Sequence, residues 1–219
     1  MSRRSGKGSG KSSRGGRGAS PSPGEEGRLR AILDEGLRAF ARKGFSQTPV
    51  AEVAAAAGVA SGTIIYHFLT KENLLAVLTW ECLNLLYRRC SQAASAADPG
   101  PARVRAYVDA YFGLLREEPD RLLLLFKTSP MELSEAHAAP GLDIRTLWQS
   151  GRILLADIFR ESQAASPADG NDPERMAASL LAHLSGAAWL HLFFGEDLEE
   201  MHASARDVVQ AFFSGSSQT

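Results

Sequence analysis

The sequence of 219 residues has only two cysteines, no long apolar run and no secretory-type stretch at its N-terminus. Because a membrane-spanning helix needs ~20 largely apolar residues, we expect no membrane partner. Cys82 and Cys90 are eight positions apart in one predicted helix. On a helix that separation is about 12 Å, too long for a disulfide. The expected location is therefore the reducing cytoplasm, with two free thiols.

Motifs of enzyme and metal chemistry are missing too. The sequence has no glycine-rich nucleotide loop, nucleophile elbow or zinc-protease helix. His183 and His191 are two helical turns apart and cannot easily share one ion, and Glu132, Glu135 and His137 lack the pattern of a zinc site. We therefore expect no catalysis, cofactor or metal.

Alternating strand patterns joined by hairpin turns are also absent, and this predicts an all-α fold. Prolines and glycines separate stretches of helical periodicity. We predict helices over residues 25–43, 48–57, 61–68, 71–97, 102–118, 120–128, 141–163, 173–194 and 198–213.

Charge is distributed unevenly along the chain. Residues 1–24 hold six basic residues and no acid, whereas the rest holds 18 basic and 25 acidic residues. This stretch of Gly, Ser, Arg and Pro has little to bury, so we expect it to be disordered in the free protein. It is either a solvated tail or an arm, including Arg3 and Arg4, that contacts phosphates or a minor groove.

Residues 48–68 have the pattern of a helix-turn-helix. Thr48 and Pro49 suit a helix start, Gly58 breaks that helix, and a short helix begins near Ser61. In such a unit the second helix enters the major groove of DNA. The residues alone leave open an ordinary helical hairpin with a polar surface.

The mixed composition of the second helix fits that role. Ile64 and Phe68 are four positions apart and can anchor it to its neighbours. The other side would face DNA, with phosphate contacts at the starts of the flanking helices. The predicted DNA-binding residues are Thr48, Ser61, Gly62, Thr63, Tyr66, His67 and Lys71.

Residues 32–75 resemble the DNA-binding domain of the tetracycline-repressor (TetR) family. Their sequence is ILDEGLRAFARKGFSQTPVAEVAAAAGVASGTIIYHFLTKENLL. The matching positions are Phe40, Gly44, Phe45, Thr48, Val50, Val53, Ala54, Ala57, Gly58, Val59, Gly62, Thr63, Tyr66, His67, Phe68, Lys71, Glu72 and Leu74. The resemblance implies a transcriptional regulator, usually a repressor. It would be a homodimer with two DNA-binding heads on a palindromic operator and a helical body that binds a small effector.

Three positions depart from the family pattern. Ala60 replaces the serine that commonly caps the recognition helix, Ile65 replaces a frequent tyrosine, and Ser61 replaces a basic residue before Gly62. The head thus has fewer polar contacts than is typical of the family. We expect the basic arm to supply part of the missing affinity.

Residues 173–195 are apolar on more than one face. The side predicted to face the core comprises Met176, Leu180, Leu184, Ala187 and Leu192, and a second, mostly small stripe comprises Ala178, Ala182, Ser185, Gly186 and Trp189. The last helix would join that stripe in a four-helix dimer interface through Met201, Ala205, Val208, Val209 and Phe212. The alternative is that both helices are buried in one monomer. The resemblance implies dimerisation through residues of about 173–213.

The predicted effector-binding residues are Tyr107, Tyr111, Phe126, Leu147, Trp148 and His183. Each aromatic residue could equally fill the core, and His183 could be a core histidine with its hydrogen bonds satisfied. A helical bundle can enclose an apolar cavity here, so we expect a hydrophobic or aromatic small molecule.

Three segments summarise the predicted organisation. They are a basic arm (1–24), a helix-turn-helix head (25–70) and a helical body (71–219) that binds the effector and dimerises. The competing interpretations are an all-helical enzyme or ligand carrier, and an architectural DNA-binding protein that depends on its arm.

Overall fold

The computed structural model describes residues 23–128, 144–165 and 172–214, and within these ranges the regular structure is helical without strands. The helices are α1 (Pro23–Lys43), α2 (Val50–Ala56), α3 (Ser61–Phe68), α4 (Lys71–Ala96), α5 (Pro101–Glu117), α6 (Pro119–Lys127), α7 (Ile144–Ala165), α8 (Pro173–Phe194) and α9 (Leu198–Ser214). The all-α prediction is confirmed. Arg3, Arg4 and nearly all of the predicted arm lie outside the described residues.

The first helix ends where its sequence predicts. Glu25 and Glu26 lie in its first turn and Arg42 and Lys43 in its last, and both placements favour the helix dipole. Gly44 follows with a φ of +92°, and its amide donates to the carbonyl of Phe40 at 3.0 Å. Such a positive φ is costly for residues other than glycine, so the chain turns here at little cost.

Helices α2 and α3 form the predicted helix-turn-helix. Their axes differ in direction by 109°, within the range typical of this motif. Gly58 makes the turn with a φ of +67°, and the amide of Val59 donates to the carbonyl of Ala54 at 2.9 Å. After the turn, α3 packs Ile64 and Phe68 into the head and leaves its other side exposed.

Two clusters of buried apolar side chains organise the molecule. The head core includes Ile32, Phe40 and Ile64, and it continues into α4 as far as Leu83. The body core is built from α4, α5, α6, α7, α8 and α9 and includes Phe112. Because α4 contributes to both, the two cores share one rigid element. The division at residue 70 therefore stays a prediction, since the head core extends past it.

A second connection joins head and body through α1 and α6. Leu124 and Leu125 of α6 are buried in the head core. A guanidinium nitrogen of Arg42 lies 3.1 Å from a carboxylate oxygen of Asp120, and Lys127 Nζ donates to the Arg42 carbonyl at 3.1 Å. These polar contacts are at the surface and contribute modestly, whereas the buried leucines fix how α6 packs.

Helix α8 presents the two predicted faces. Met176, Leu180, Leu184 and Ala187 are buried in the body core and Leu192 is half-buried. The second stripe, Ala178, Ala182, Ser185, Gly186 and Trp189, is exposed. The described residues of the chain therefore leave this largely apolar face uncovered.

The prediction for α9 is wrong for Ala205 and Val209. Ala205 and Val209 are completely buried in the body core, and Met201, Val208 and Phe212 pack partly buried against it. These side chains face their own subunit because α9 packs on α5 and α8. The outer side of α9 carries Ala203, Arg206, Asp207 and Gln210 instead.

The predictions of free thiols and of no apolar segment of membrane-spanning length have different outcomes. Cys82 and Cys90 are buried free thiols, as expected. In contrast, α8 is long and apolar enough to cross a membrane by length and composition, and 28% of its most apolar window is buried inside the chain. The expectation that no segment reaches that threshold is therefore wrong.

Candidate DNA interface and effector site

Helix α3 is attached by one side and open on the other. Ile64 is fully buried and Phe68 is 8% exposed, so both anchor the helix as predicted. Tyr66 lies two positions after Ile64, on the opposite side, and is 77% exposed. The eight-residue helix is thus held firmly while its outer side meets solvent.

The predicted DNA contacts on α3 lie at one surface. Ser61, Gly62 and Tyr66 are exposed, and Thr63 and His67 are half-buried beside them. The Tyr66 and His67 rings meet edge to face with centroids 5.1 Å apart. The structure therefore brings these five residues together at the outer tip of the head.

The prediction for Thr48 is wrong. Its side chain is fully buried, and its hydroxyl donates to the carbonyl of Gly44 at 2.8 Å. Pro49, not Thr48, precedes the first turn of α2 as its N-cap residue. Thr48 ties the end of α1 to the start of α2, so its hydroxyl cannot also donate to a phosphate.

Lys71 lies beside the head core at the start of α4. Its Nζ is 4.1 Å from the centroid of the Phe45 ring, which is a cation–π arrangement, and the residue is half-buried. Its stem is thereby positioned while one side stays accessible. The phosphate contact predicted for it remains a prediction.

The start of α3 lacks a side-chain cap, as expected from Ala60 in place of the usual serine. Ala60 is the N-cap residue, and a methyl side chain cannot accept a hydrogen bond from the first turn. The amide of Thr63 donates to the Ala60 carbonyl at 2.9 Å. The amides of Ser61 and Gly62 therefore lie at an exposed helix start.

The end of α3 is fixed by contacts of Thr70, the N-cap residue of α4, and of Asn73. Leu69 follows the helix with a φ of +66°, a region that non-glycine residues rarely adopt. The side-chain amide of Asn73 donates to the carbonyl of Phe68 at 2.9 Å, and Thr70 Oγ1 accepts from the backbone amide of Asn73 at 3.1 Å. A capping threonine followed three positions later by a buried asparagine is the sequence signal for this arrangement.

The tip carries little positive charge. Residues 49–70 contain one acid, Glu52, and neither Lys nor Arg. Lys43 Nζ lies 2.5 Å from a carboxylate oxygen of Glu52 and neutralises it. The outer surface of α2 and α3 is therefore nearly neutral and offers hydrogen-bonding and apolar groups rather than cations.

The structure brings the predicted effector-binding residues together only in part. Tyr107 and Tyr111 on α5 are 1% and 5% exposed, and Phe126 is half-buried against the same core. The side chains of Leu147 and Trp148 lie outside the described residues. His183 is half-buried and its Nε2 is 3.4 Å from the hydroxyl oxygen of Ser204, at the contact of α8 with α9.

Two α4 residues join the tyrosines and were missed. Tyr87 lies across α7 so closely that a β-carbon at Gly151 would overlap its ring. Burial raises the pKa of Tyr87 to about 12 and that of Cys90 to about 12, and raises the pKa of Tyr107 well above its ordinary value. Tyr87, which is half-buried, thus joins the buried Cys90, Tyr107 and Tyr111 in a group that is uncharged at neutral pH. The signal was the three-residue spacing of Tyr87 and Cys90 on the inner side of α4.

Open clefts lie elsewhere. A cleft of about 470 Å³ separates α1 from the junction of α5 and α6, and charged side chains such as Arg38 and Glu117 line it. A second cleft of about 350 Å³ is lined by Trp80, Arg88 and Arg121 among others. Their linings are too polar for the apolar molecule that the sequence predicts.

A buried histidine joins α5 to α9. Asp109 Oδ1 is 2.7 Å from His202 Nε2 and accepts from Arg206 Nε at 2.8 Å. The His202 ring stacks on Phe112 with centroids 4.7 Å apart. Partial burial alone would raise the pKa of Asp109, but the hydrogen bonds from Arg206 and His202 outweigh it and lower the pKa. The bridge holds α9 against the body.

Comparisons with known proteins identify the head. A family model described as "Bacterial regulatory proteins, tetR family" matches residues 32–78. The HTH-type transcriptional regulator BetI of Burkholderia thailandensis is 30% identical over 161 residues, which cover 73% of this chain and 78% of BetI. Two other curated relatives match over only 44% and 60% of their own length.

Solved structures share the whole fold. The transcriptional regulator FadR from Bacillus subtilis, in complex with stearoyl-CoA, superposes with a TM-score of 0.71 at 19% identity, covering 85% of this chain and 98% of FadR. AibR, in complex with isovaleryl coenzyme A and operator DNA, superposes with a TM-score of 0.65 at 19% identity, over 85% of this chain and 98% of AibR. Helical head and helical body therefore occur together in other proteins.

Proposed function

Because the chain belongs to the TetR family of bacterial transcriptional regulators, we propose that it represses transcription by binding a palindromic operator as a homodimer. A small hydrophobic effector in the body would release it from DNA. The observation that carries this proposal is α3, whose inner side is locked into the head core while its outer side is a polar and aromatic surface open to solvent.

The outer side of α3 is the proposed reading surface. Ser61, Thr63, Tyr66 and His67 carry hydrogen-bonding groups, and base edges in the major groove present donors and acceptors. The exposed start of α3 and Lys71 are the proposed phosphate contacts, which position the helix without reading sequence. Thr48 supports this surface from behind through its bond to Gly44.

The dimer is proposed through the exposed face of α8. Trp189 is 43% exposed and Phe194 is 65% exposed, and their ring centroids are 4.8 Å apart. Ala178, Ala182 and Gly186 continue this face along the helix and allow close approach. A second copy would cover it through α8 and the outer side of α9, within residues 173–213. The two-fold axis would then set the α3 helices ~34 Å apart, as successive major grooves require.

The arm is proposed to supply affinity that the head lacks. The tip is nearly neutral, whereas residues 1–24, including Arg3 and Arg4, carry six basic residues and no acid. Each neutralised phosphate contributes about 0.9 to the slope of log affinity against log salt. Removing residues 1–22 should therefore weaken binding and flatten that slope, and an unchanged slope would show that the arm is a bystander.

The effector is proposed to be hydrophobic and to enter the body near Tyr107 and Tyr111. The buried group there is uncharged at neutral pH, which suits an apolar or aromatic molecule. The ligands of the FadR and AibR structures are acyl thioesters of coenzyme A. An acyl chain is thus the first class to try. In this proposal residues 25–70 are the head and 71–219 the effector-binding body.

Helix α4 is proposed to transmit the signal. It contributes side chains to both cores, and α6 packs into the head core through Leu124 and Leu125. Filling the body would shift both helices and spoil the spacing of the heads. A ligand that prefers the non-binding state 100-fold supplies ~2.7 kcal/mol, which is enough to release an operator.

The test is direct binding of the full chain to DNA that flanks its own gene, compared with random duplex of equal length. We expect a strong preference for one palindromic segment and a stoichiometry of one dimer. Adding long-chain acyl-CoA tests release. Equal affinity for both duplexes would favour an architectural protein, and binding to neither would favour an enzyme or a ligand carrier. In either case the proposal that this protein is a cytoplasmic transcriptional regulator would be wrong.

A further inference from the structure

Large apolar side chains are exposed at the tip of the head. Ile65 is 45% exposed, Tyr66 is 77% exposed and Leu69 is 71% exposed. We call these three residues the apolar tip. The other large apolar residues that the described part of the chain exposes lie on α7 and α8, far along the sequence. Among the described residues, α1, α2 and α4 expose no other large apolar side chain.

Ile65 and Leu69 of the apolar tip lie on the side of α3 that begins at Ser61. Ser61 and Ile65 are spaced four residues apart on the helix, and Leu69, the first residue after it, follows at the same spacing. Ile65 is rotated about 100° from buried Ile64, toward Tyr66. An isoleucine side chain has no hydrogen-bonding atom, so it adds nothing to a polar surface except shape and apolar area.

The backbone fixes the apolar tip in place. The amide of Leu69 donates to the carbonyl of Ile65 at 2.9 Å, and the amide of Thr70 donates to that of Phe68 at 2.8 Å. Leu69 keeps a φ of +66° within this network, although that conformation is unfavourable for leucine. Ile65 thus lies on a helix whose C-terminal end is held by backbone hydrogen bonds.

The chemistry of the major groove selects a partner for Ile65. Base edges there present hydrogen-bond donors and acceptors, and the one apolar group among the four bases is the 5-methyl group of thymine. Placing isoleucine against a polar edge would remove water from that edge without replacing its hydrogen bond. Placing it against a methyl group buries two apolar surfaces together.

We propose that Ile65 is a specificity-determining residue that contacts the 5-methyl group of one thymine in each operator half-site, with Leu69 covering the flank of that contact. This inference rests on the proposed function, since it requires α3 to enter the major groove. The inference predicts that Ile65 recognises its thymine through the methyl group and not through a hydrogen bond.

The test uses the full-length protein and a duplex selected from a random library by repeated binding. Each thymine of the selected duplex is replaced singly, in both half-sites together, by deoxyuridine, which keeps the base-pairing edge and O4 but lacks the methyl. Affinities are measured for the natural chain, for Ile65→Ala and for Ile153→Ala. Ile153 is a matched control because it is 56% exposed on α7, away from the head.

One thymine position should respond. Removing a buried methyl weakens binding about 4-fold, so losing one in each half-site should weaken the dimer about 15-fold. Ile65→Ala should remove most of that sensitivity, and Ile153→Ala should keep it. Circular dichroism should show the same helix content in all three proteins.

Three results overturn the inference while leaving DNA binding intact. They are a selected site without thymine in its half-sites, equal affinity for thymine and deoxyuridine at every position, and an undiminished methyl effect in Ile65→Ala. Failure to select any duplex over the random library would instead contradict the proposed function itself.

Discussion

The tip of α3 and the outer face of α8 both expose large apolar side chains, but in different surroundings. On α3, Ile65 and Tyr66 stand among Ser61, Thr63 and His67 on a short helix. On α8, Trp189 is followed by two further exposed aromatic residues and preceded by exposed alanines. A mixed narrow surface suits the groove of a nucleic acid, whereas a long apolar stripe with small residues suits another helix.

The difference also shows in how the two helices are held. The inner side of α3 rests on Ile64 and Phe68 alone, supported by the bond from Asn73 to the end of the helix. Helix α8 is anchored by six buried residues between Met176 and Ala188. The head should therefore lose its function through a single core change more easily than the body does.

The largest expected effect comes from the neighbouring isoleucines of α3. Ile64→Ala removes a fully buried side chain and should destabilise the head by roughly 3 kcal/mol, with loss of DNA binding. Ile65→Ala, at an exposed position, should change stability by less than about 0.5 kcal/mol. Urea unfolding followed by circular dichroism separates the two. Equal destabilisation would show that α3 is not anchored as described.

Next in size is the loss of the dimer. Replacing Trp189 and Phe193 together by glutamate puts charge on the exposed face of α8, and sedimentation should then show a monomer. Because two linked heads bind far better than one, operator affinity should fall roughly 100-fold. Ile153→Glu, an exposed change on α7, serves as the control. A variant that remains a dimer would place the interface elsewhere.

A smaller effect should depend on pH. Hydrogen bonds from Arg206 and His202 lower the pKa of Asp109 against the opposing effect of burial. A lowered folded-state pKa gives stability that is present above the unfolded value of about 4 and is lost as the pH falls through the folded value. Asp109→Asn should thus be less stable than the natural chain at pH 7, by under about 1 kcal/mol for this partly exposed group.

Unfolding at several pH values checks this sign. The difference between the natural chain and Asp109→Asn should hold from pH 7 down to about pH 4 and shrink below that pH. A difference that does not shrink below about pH 4 would mean that the bridge between α5 and α9 does not depend on the ionised carboxylate.

The smallest expected effect concerns the contact of head and body. Asp120→Asn should break the ion pair with Arg42 at the cost of about 0.5 kcal/mol or less, because both groups reach solvent. A double-mutant cycle with Arg42→Gln isolates the pair. If breaking this ion pair also changes the release from DNA that the effector causes, then α6 transmits the signal. Unchanged release would leave that role to α4.

Much of the fold could be predicted from the sequence because helical periodicity and its interruptions are local. Gly44 and Gly58 marked the turns, and the four-residue spacing of Ile64 and Phe68 gave the inner side of α3 correctly. Thr48 was misplaced because the pattern shows a hydroxyl near a helix start but not that the side chain turns inward to Gly44. That choice depends on how α1 and α2 pack, which one segment does not reveal.

Long-range contacts explain the other misses. The apolar residues of α9 form one stripe, and the sequence does not show whether the same subunit or a partner covers that stripe. In the structure, Ala205 and Val209 are buried within their own subunit. The approach of Tyr87 to Gly151 joins residues far apart in the chain. The bridge from Asp109 to His202 likewise spans from α5 to α9.

The most direct measurement is the affinity of Tyr66→Ala for the selected operator duplex, beside its unfolding free energy. Tyr66 is 77% exposed at the centre of the outer side of α3, so stability should not change. If that side enters the major groove, affinity should fall about 10-fold or more, which corresponds to ~1.4 kcal/mol. Unchanged affinity of a folded Tyr66→Ala dimer would show that α3 does not bind DNA through this side.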